Sequence, residues 1–228
     1  MHALQQQERV TDTGADLSAV SRINRSTYDR LALAYESSGR ARLEQAFRWL
    51  EPILGPIEHA PAPLRILELG SADGFLAGHL SSQGHDVTTV EFSSAMAAAT
   101  RRQAPHALVL EEDFLDVKLD DDFDVVLGSA FVHVLPPPWD VVALKKASTL
   151  LKPDGVAYLA TTLHTSYSSG FEEKDLGLQR FRTRHTEATF NEVIAKADML
   201  TTKFYVTTDR LSTTAKTWGN WVTRGSVR

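Results

Sequence analysis

Apolar positions along this chain switch between two periods. Between Ser21 and Leu54 the residues Leu43, Ala46, Phe47, Leu50 and Leu54 recur at helical spacing, and Gly39 is expected to separate this helix from an earlier one spanning Tyr28 to Tyr35. "PAPLRILELG" then reads as a buried strand ending at Gly70, "FLAGHLSSQG" as a short helix stopped at Gly84, and "HDVTTVE" as the next strand. The alternation continues through a helix near Ser94 to Gln103, strands in "HALVLEED" and "FDVVLGSA", a helix from Trp139 to Leu151 and a strand in "GVAYLATT". Strands separated by helices imply a parallel sheet covered on both faces.

The end of the chain follows another rule. After Thr162 an irregular stretch is expected to about Arg184, then a helix capped by Thr186 with Phe190, Val193, Ile194 and Ala197 on one face. The runs "TKFYVTT" and "KTWGNWVTR" have no helix between them, so they are expected to pair antiparallel and close the sheet with a hairpin.

Composition narrows the class. The chain has 228 residues, 43% hydrophobic and 23% charged, which suits one globular domain with a small appendage. The 29 acidic residues exceed the 24 basic ones, a formal charge of -5, and that balance gives no global attraction to nucleic acid or anionic membrane. With no cysteine, disulfides, thiolate metal sites and thiol catalysis are excluded together, and no metal site is expected. No apolar run reaches the roughly 20 residues of a membrane helix, and residues 1–20 lack a signal-peptide pattern. The expectation is a cytoplasmic protein, monomeric or a homodimer, with a mobile tail at 1–20, a helical cap or lid at 21–60 and a core at 61–228.

The loop "LELGSADG" carries the first chemistry. A dinucleotide fold asks for G-x-G-x-x-G, and the third glycine fails here because Phe75 occupies it. Gly70, Ala72 and Gly74 instead give G-x-A-x-G, which lets backbone pass close to a ligand without a strong pyrophosphate cradle. The methyl of Ala72 is accommodated if that position has negative φ.

With Glu68 before this loop and Glu91 at the end of the next strand, the chain resembles the class I S-adenosylmethionine-dependent methyltransferases from about Tyr28 onward. The resemblance implies an α/β fold, a Rossmann-like three-layer sandwich with a mostly parallel seven-stranded sheet, an antiparallel C-terminal hairpin and an N-terminal helical cap. It implies S-adenosylmethionine as cofactor, with S-adenosylhomocysteine as its product, held by Glu68, Gly70, Ser71, Ala72 and Gly74. Glu91 lies 21 residues beyond Gly70, a distance that fits one helix and one strand, and a carboxylate there can accept from both ribose hydroxyls. Phe92 and Met96 follow in the same segment. In "LEEDFLD", Asp113 is assigned to the adenine amino group and Phe114 to the adenine surroundings, and Ser129 ends the fourth strand beside the cofactor.

Methyl transfer from a sulfonium needs mainly alignment. A base is required only where the acceptor holds its proton, and His133 is the candidate, with His164 and Tyr167 as competitors. Tyr28 and Tyr35 read either as a lid over the methionine end or as amphipathic anchors, and Arg40 either as a partner of the methionyl carboxylate or as a solvated side chain.

The stretch 163–184 is long for a connection and is expected to bind substrate. Within it, Arg180, Arg182 and Arg184 read either as a clamp for a carboxylate or phosphate or, preferred, as a solvated strand edge protected by charge. "LPPPW" does not match the motif of base-methylating enzymes; its prolines instead start the helix at Trp139. The function expected is transfer of a methyl group to an oxygen or nitrogen of a small-molecule acceptor. A non-methylating protein of the same fold, or a protein methyltransferase, is the alternative.

Overall fold

The computed structural model describes residues 16–120, 122–209 and 215–225. A long helix α1 (Leu17–Glu58) is followed by β1 (Arg65–Leu69), α2 (Phe75–Ser82), β2 (Asp86–Val90), α3 (Ser94–Gln103), β3 (Leu108–Leu110), β4 (Phe123–Ser129) and α4 (Trp139–Leu150). Then come β5 (Leu151–Thr162), β6 (Ser168–Glu173), β7 (Gln179–Arg184), α5 (Glu187–Lys196), β8 (Met199–Asp209) and β9 (Lys216–Gly225).

Seven strands form one sheet in the order β3-β2-β1-β4-β5-β9-β8. The first five are parallel, and β9 runs antiparallel to both β5 and β8, so the expected hairpin closes the sheet. Chain order reverses between β1 and β4, which opens a crevice at their C-terminal ends, the usual place for a ligand in such sheets. Side-chain alternation divides the core between the two faces. Val126, Leu144, Leu159, Phe190 and Trp221 pack on one side, and Ile66, Leu80, Val125, Leu127 and Tyr158 on the other.

Three expectations are corrected. The helix starts within the stretch read as a tail: Asp16 caps it, accepting from the Ser18 amide at 3.1 Å, and Leu17 to Val20 are already helical. Residues 1–15 lie outside the described residues.

Gly39 does not divide two helices. It lies inside α1, where a Cβ would stand 2.3 Å from the Phe75 ring and 2.6 Å from the Asp73 carboxylate. The glycine is there so that the helix can press on the loop between β1 and α2. Gly39→Ala is expected to lower stability by about 1–3 kcal/mol, the usual range for overpacking, and to displace Phe75. A thermal melt with no change in midpoint would show that the contact yields freely.

The stretch 163–184 is not irregular, because β6 and β7 form a separate two-stranded antiparallel sheet. It is tied to the rest by α1: Asn24 accepts from the Phe181 amide at 2.7 Å and donates to the Val134 carbonyl at 3.1 Å, and Thr27 donates to the Gln179 carbonyl. A small apolar cluster of Leu31, Ala32, Met96 and Leu178, edged by Tyr28, Tyr35 and Ala72, joins α1, α3 and the hairpin above the glycine loop.

Candidate active site

Gly70, Ala72 and Gly74 all have left-handed backbone, with φ of 70°, 52° and 76°. The condition of a negative φ at Ala72 is therefore not met, and an alanine held there costs roughly 1–2 kcal/mol. Its neighbours fix the conformation. The Ala72 amide donates to Glu91 Oε2 at 3.1 Å, and its carbonyl accepts from Thr100 Oγ1 at 3.0 Å. Ser71 Oγ lies 3.0 Å from the same threonine hydroxyl. A Cβ on Gly74 would lie 2.6 Å from the Thr100 backbone, so α3 packs directly against the turn.

Two buried carboxylates face this loop. Glu91 accepts from the Ala72 amide and, at 2.9 Å, from the Ser93 amide, one bond to each oxygen. Each carboxylate oxygen can accept two, so both keep a lone pair for a ligand. Glu68 accepts from the backbone of Ala77 in α2, while its Oε2 is buried with no partner among the described residues. Burial, reinforced by the charge of Glu91, pushes Glu68 up to about 8. Burial, opposed by the backbone hydrogen bonds, leaves Glu91 at about 7. Such a pair favours a ligand that brings positive charge or hydrogen-bond donors.

At the far end of the crevice, Asp113 accepts from the Leu115 amide at 3.0 Å and from Ser21 Oγ of α1 at 3.2 Å. It edges a groove of about 670 Å³ shared with Ser21, Arg25, Asp29 and Leu115. Phe114 is buried, edge-on to Phe131 at 5.6 Å. Lys146 of α4 organises this segment by donating to the carbonyls of Phe114 and Val117 at 2.6 and 2.5 Å. Ser129 ends β4, with the adjoining Ala130 amide donating to the Ala160 carbonyl at 2.9 Å.

Helix α1 covers the crevice. Tyr28 stands edge-on to Tyr35, 6.2 Å between ring centroids, and 6.1 Å from Phe92, and it is hydrogen-bonded to Arg180. Asp29 accepts from Ser93 Oγ at 2.6 Å and from the Ala95 amide at 3.1 Å, fastening the helix to the start of α3. Met96 is buried beneath. Arg40 is exposed.

Beside the crevice, under the β6–β7 hairpin, lies a cluster of buried polar side chains. His133 sits in a single 3-10 turn (Val132–Val134) after β4, buried, with Nδ1 3.1 Å from Thr161 Oγ1. Burial, then the charges of Arg182 and Arg180, hold its pKa well below the ordinary histidine range, so it is neutral at pH 7. His164 Nε2 is 3.1 Å from Thr162 Oγ1. The Tyr167 ring lies 6.0 Å from that of His185.

The reading of Arg180, Arg182 and Arg184 as a solvated edge is overturned for the first two, which are only 8% and 9% exposed. All three converge on Glu172, the residue paired with Arg180 across the hairpin. Burial works upward on Glu172, yet the hydrogen bonds from Arg184 and Arg180 bring it down to about 2.

Four participants carry no local signal of their role: Asp29, Thr100, Lys146 and Glu172. Only Glu172 was recoverable, since "SSGFEE" and "QRFRTR" alternate on either side of the turn Asp175-Leu176-Gly177, a hairpin pattern that places acid opposite base. No group of His, Asp or Glu side chains suited to a metal ion occurs among the described residues. No helix among them is long and apolar enough to cross a membrane.

A family model described as a methyltransferase domain matches residues 66–155, from β1 into β5. An uncharacterised methyltransferase of Alkaliphilus oremlandii (strain OhILAs) is 26% identical over 141 residues, 62% of this chain and 65% of that protein. The ubiquinone biosynthesis O-methyltransferase of Pasteurella multocida (strain Pm70) is 28% identical over 116 residues, 44% and 47% of the two chains. The matches thus span about half to two thirds of these curated relatives.

Among solved structures, a DhpI–SAH complex superposes with a TM-score of 0.69 at 17% identity, over 92% of this chain and 99% of the other. The 1,6-didemethyltoxoflavin-N1-methyltransferase of Burkholderia thailandensis, with bound 1,6-didemethyltoxoflavin and S-adenosylhomocysteine, does so with 0.68 at 16% identity, over 98% of both. Taken with the strand order, the left-handed loop after β1 and the acid that follows β2, these matches show a methyltransferase domain at residues 66–155 in a fold similar to that of the class I S-adenosylmethionine-dependent methyltransferases.

Proposed function

We propose that the protein binds S-adenosylmethionine in the crevice above β1 and β4 and transfers its methyl group to an oxygen or nitrogen of a small-molecule acceptor held under the β6–β7 hairpin. The observation that carries this reading is the pairing of two unlike sites. An acidic, glycine-lined crevice with an orphaned Glu68 oxygen adjoins a cluster of buried polar side chains around His133.

The cofactor, when bound, supplies a sulfonium whose methyl group is already activated. The residues present suit it. Glu68 and Glu91 offer free acceptor positions to the ammonium and ribose hydroxyls, Asp113 and Phe114 lie where a purine would be edged, and Tyr28, Tyr35 and Phe92 exclude water. Ser71, Gly70, Ala72, Gly74, Met96 and Ser129 shape the walls between.

The enclosure by α1 and the hairpin favours a small acceptor over a nucleic acid or a folded protein. Two named neighbours support that preference: one acts in ubiquinone biosynthesis, and the other holds a small heterocycle. Cap, core and hairpin then act as lid, cofactor platform and acceptor loop, in a cytoplasmic protein that works as a monomer or homodimer.

Most of the acceleration comes from alignment of the two reactants. His133, buried and neutral, accepts the acceptor's proton as the new bond forms. His133→Ala is expected to lower turnover by about 10²–10⁴-fold with little change in cofactor affinity; unchanged turnover removes this role. Calorimetric titration with S-adenosylmethionine and S-adenosylhomocysteine is the first test, and absence of binding by both sinks the proposal. Binding without transfer to any acceptor in a metabolite extract favours a non-methylating role.

A further inference from the structure

We infer that the acceptor carries an oxyanion, a carboxylate or a phosphate-type group, and that Arg182 is the residue that grips it. The inference rests on the methyl-transfer reading and deepens it.

The argument begins with the acceptor capacity of Glu172. A carboxylate offers about four lone-pair positions. Here Oε1 accepts from Arg180 Nε at 3.0 Å and from its terminal nitrogen at 2.7 Å, and Oε2 accepts from Arg184 Nε at 3.1 Å and its terminal nitrogen at 2.7 Å. Two side-on pairs therefore saturate Glu172. Arg182 comes no nearer to it than 3.6 Å, beyond hydrogen-bond distance.

Arg182 is as buried as Arg180 but lacks its partner. One terminal nitrogen donates to Thr162 Oγ1, and Nε is buried with no acceptor among the described residues. A desolvated guanidinium whose nearest carboxylate is an ion-pair partner at 3.6 Å with no hydrogen bond is costly to bury. Burial, followed by the like charge of Arg180, pushes its pKa down to about 10, the sign of a cation short of counter-charge.

Position then names the partner. Thr162 ends β5 and His133 follows β4, so Arg182 faces the C-terminal ends of both strands, on the acceptor side of the crevice. The indole N–H of Trp218, whose ring lies 6.2 Å from that of His133, is a second buried donor without an acceptor among the described residues. Unused donors without matching acceptors suit a ligand that brings oxygens and negative charge. The same anion would offset the charges of Arg182 and Arg180 that act on His133, removing the part of its depressed basicity that those charges cause, while burial still holds it down.

The test uses the full chain saturated with S-adenosylhomocysteine, titrated calorimetrically with inorganic phosphate, benzoate and the neutral isostere benzamide. At least one anion is expected to bind, with benzamide at least about tenfold weaker, in line with the strength of charge-assisted pairs. Binding of benzoate alone assigns a carboxylate acceptor, phosphate alone a tetrahedral one, and both the shared chemistry. Arg182→Met is expected to lose anion binding at least about tenfold while S-adenosylhomocysteine still binds, and Arg182→Lys to retain part of it. Neither anion binding, benzamide binding equally well, or unchanged anion affinity in both variants overturns the inference. Failure to bind S-adenosylhomocysteine overturns the methyltransferase reading instead, so the two failures are distinguishable.

Discussion

Replacing Glu91 by alanine is expected to weaken S-adenosylmethionine binding by more than about a hundredfold, since hydrogen bonds to a charged group contribute about 1.5–3 kcal/mol each and two would be lost to the ribose. The effect is compounded by what Glu91 does before any ligand arrives. It is the acceptor for the amides of Ala72 and Ser93, so its removal strands two donors and releases the left-handed Ala72. Glu91→Gln keeps the shape and one acceptor oxygen, and turns its amide nitrogen toward a backbone N–H. An intermediate loss is expected there. Calorimetry with S-adenosylhomocysteine, with a thermal melt to confirm folding, gives the answer, and equal affinity in wild type and Glu91→Ala would remove the cofactor assignment from this loop.

The second large effect is a dependence on pH. In the ligand-free protein Glu68 titrates near about 8 and Glu91 near about 7, both raised chiefly by burial. A ligand carrying an ammonium and a sulfonium favours the ionised forms. Binding near neutrality should therefore expel protons, and affinity should rise by at least about tenfold from pH 6 to pH 9, as the linkage of pKa to free energy requires.

The sign for stability is opposite. Carboxyls raised on folding contribute stability that is complete below their unfolded values and is lost as pH rises through about 8. The empty protein should lose thermal stability over that window, and cofactor should restore it. Calorimetry in two buffers of different ionisation enthalpy counts the protons directly. Glu68→Gln should flatten the profile; a profile that is already flat in the wild type would show that the pair is ionised before binding.

The parallel core was legible in the sequence because its signals are local. A strand, a glycine turn and a helix follow one another within a few residues, and Glu68, Glu91 and Asp113 stand at strand ends or just past them, where the crevice forms. What was misread depended on contacts between distant segments. Gly39 carries the composition of a helix breaker, yet its role is to admit Phe75, some 36 residues further on. The arginines of β7 look solvated until Glu172 is brought across from β6 and α1 is laid over them. Ala72 gave no warning of its positive φ, because the hydroxyl of Thr100 and the carboxylate of Glu91 impose it from two other elements.

The undivided α1 alters how this site can open. At 42 residues it is about 60 Å long, and its rear half is anchored beneath the sheet, where Leu50 and Ile57 join the core, Trp49 stacks against Trp218 and the Tyr205 hydroxyl donates to the Trp49 carbonyl. The front half reaches over the loop after β1, where Gly39 rests on Phe75, and on to the β6–β7 hairpin through Asn24 and Thr27. Under the proposed function, one continuous helix therefore lies over both ligands, so a displacement of its front half is expected to expose the two sites together.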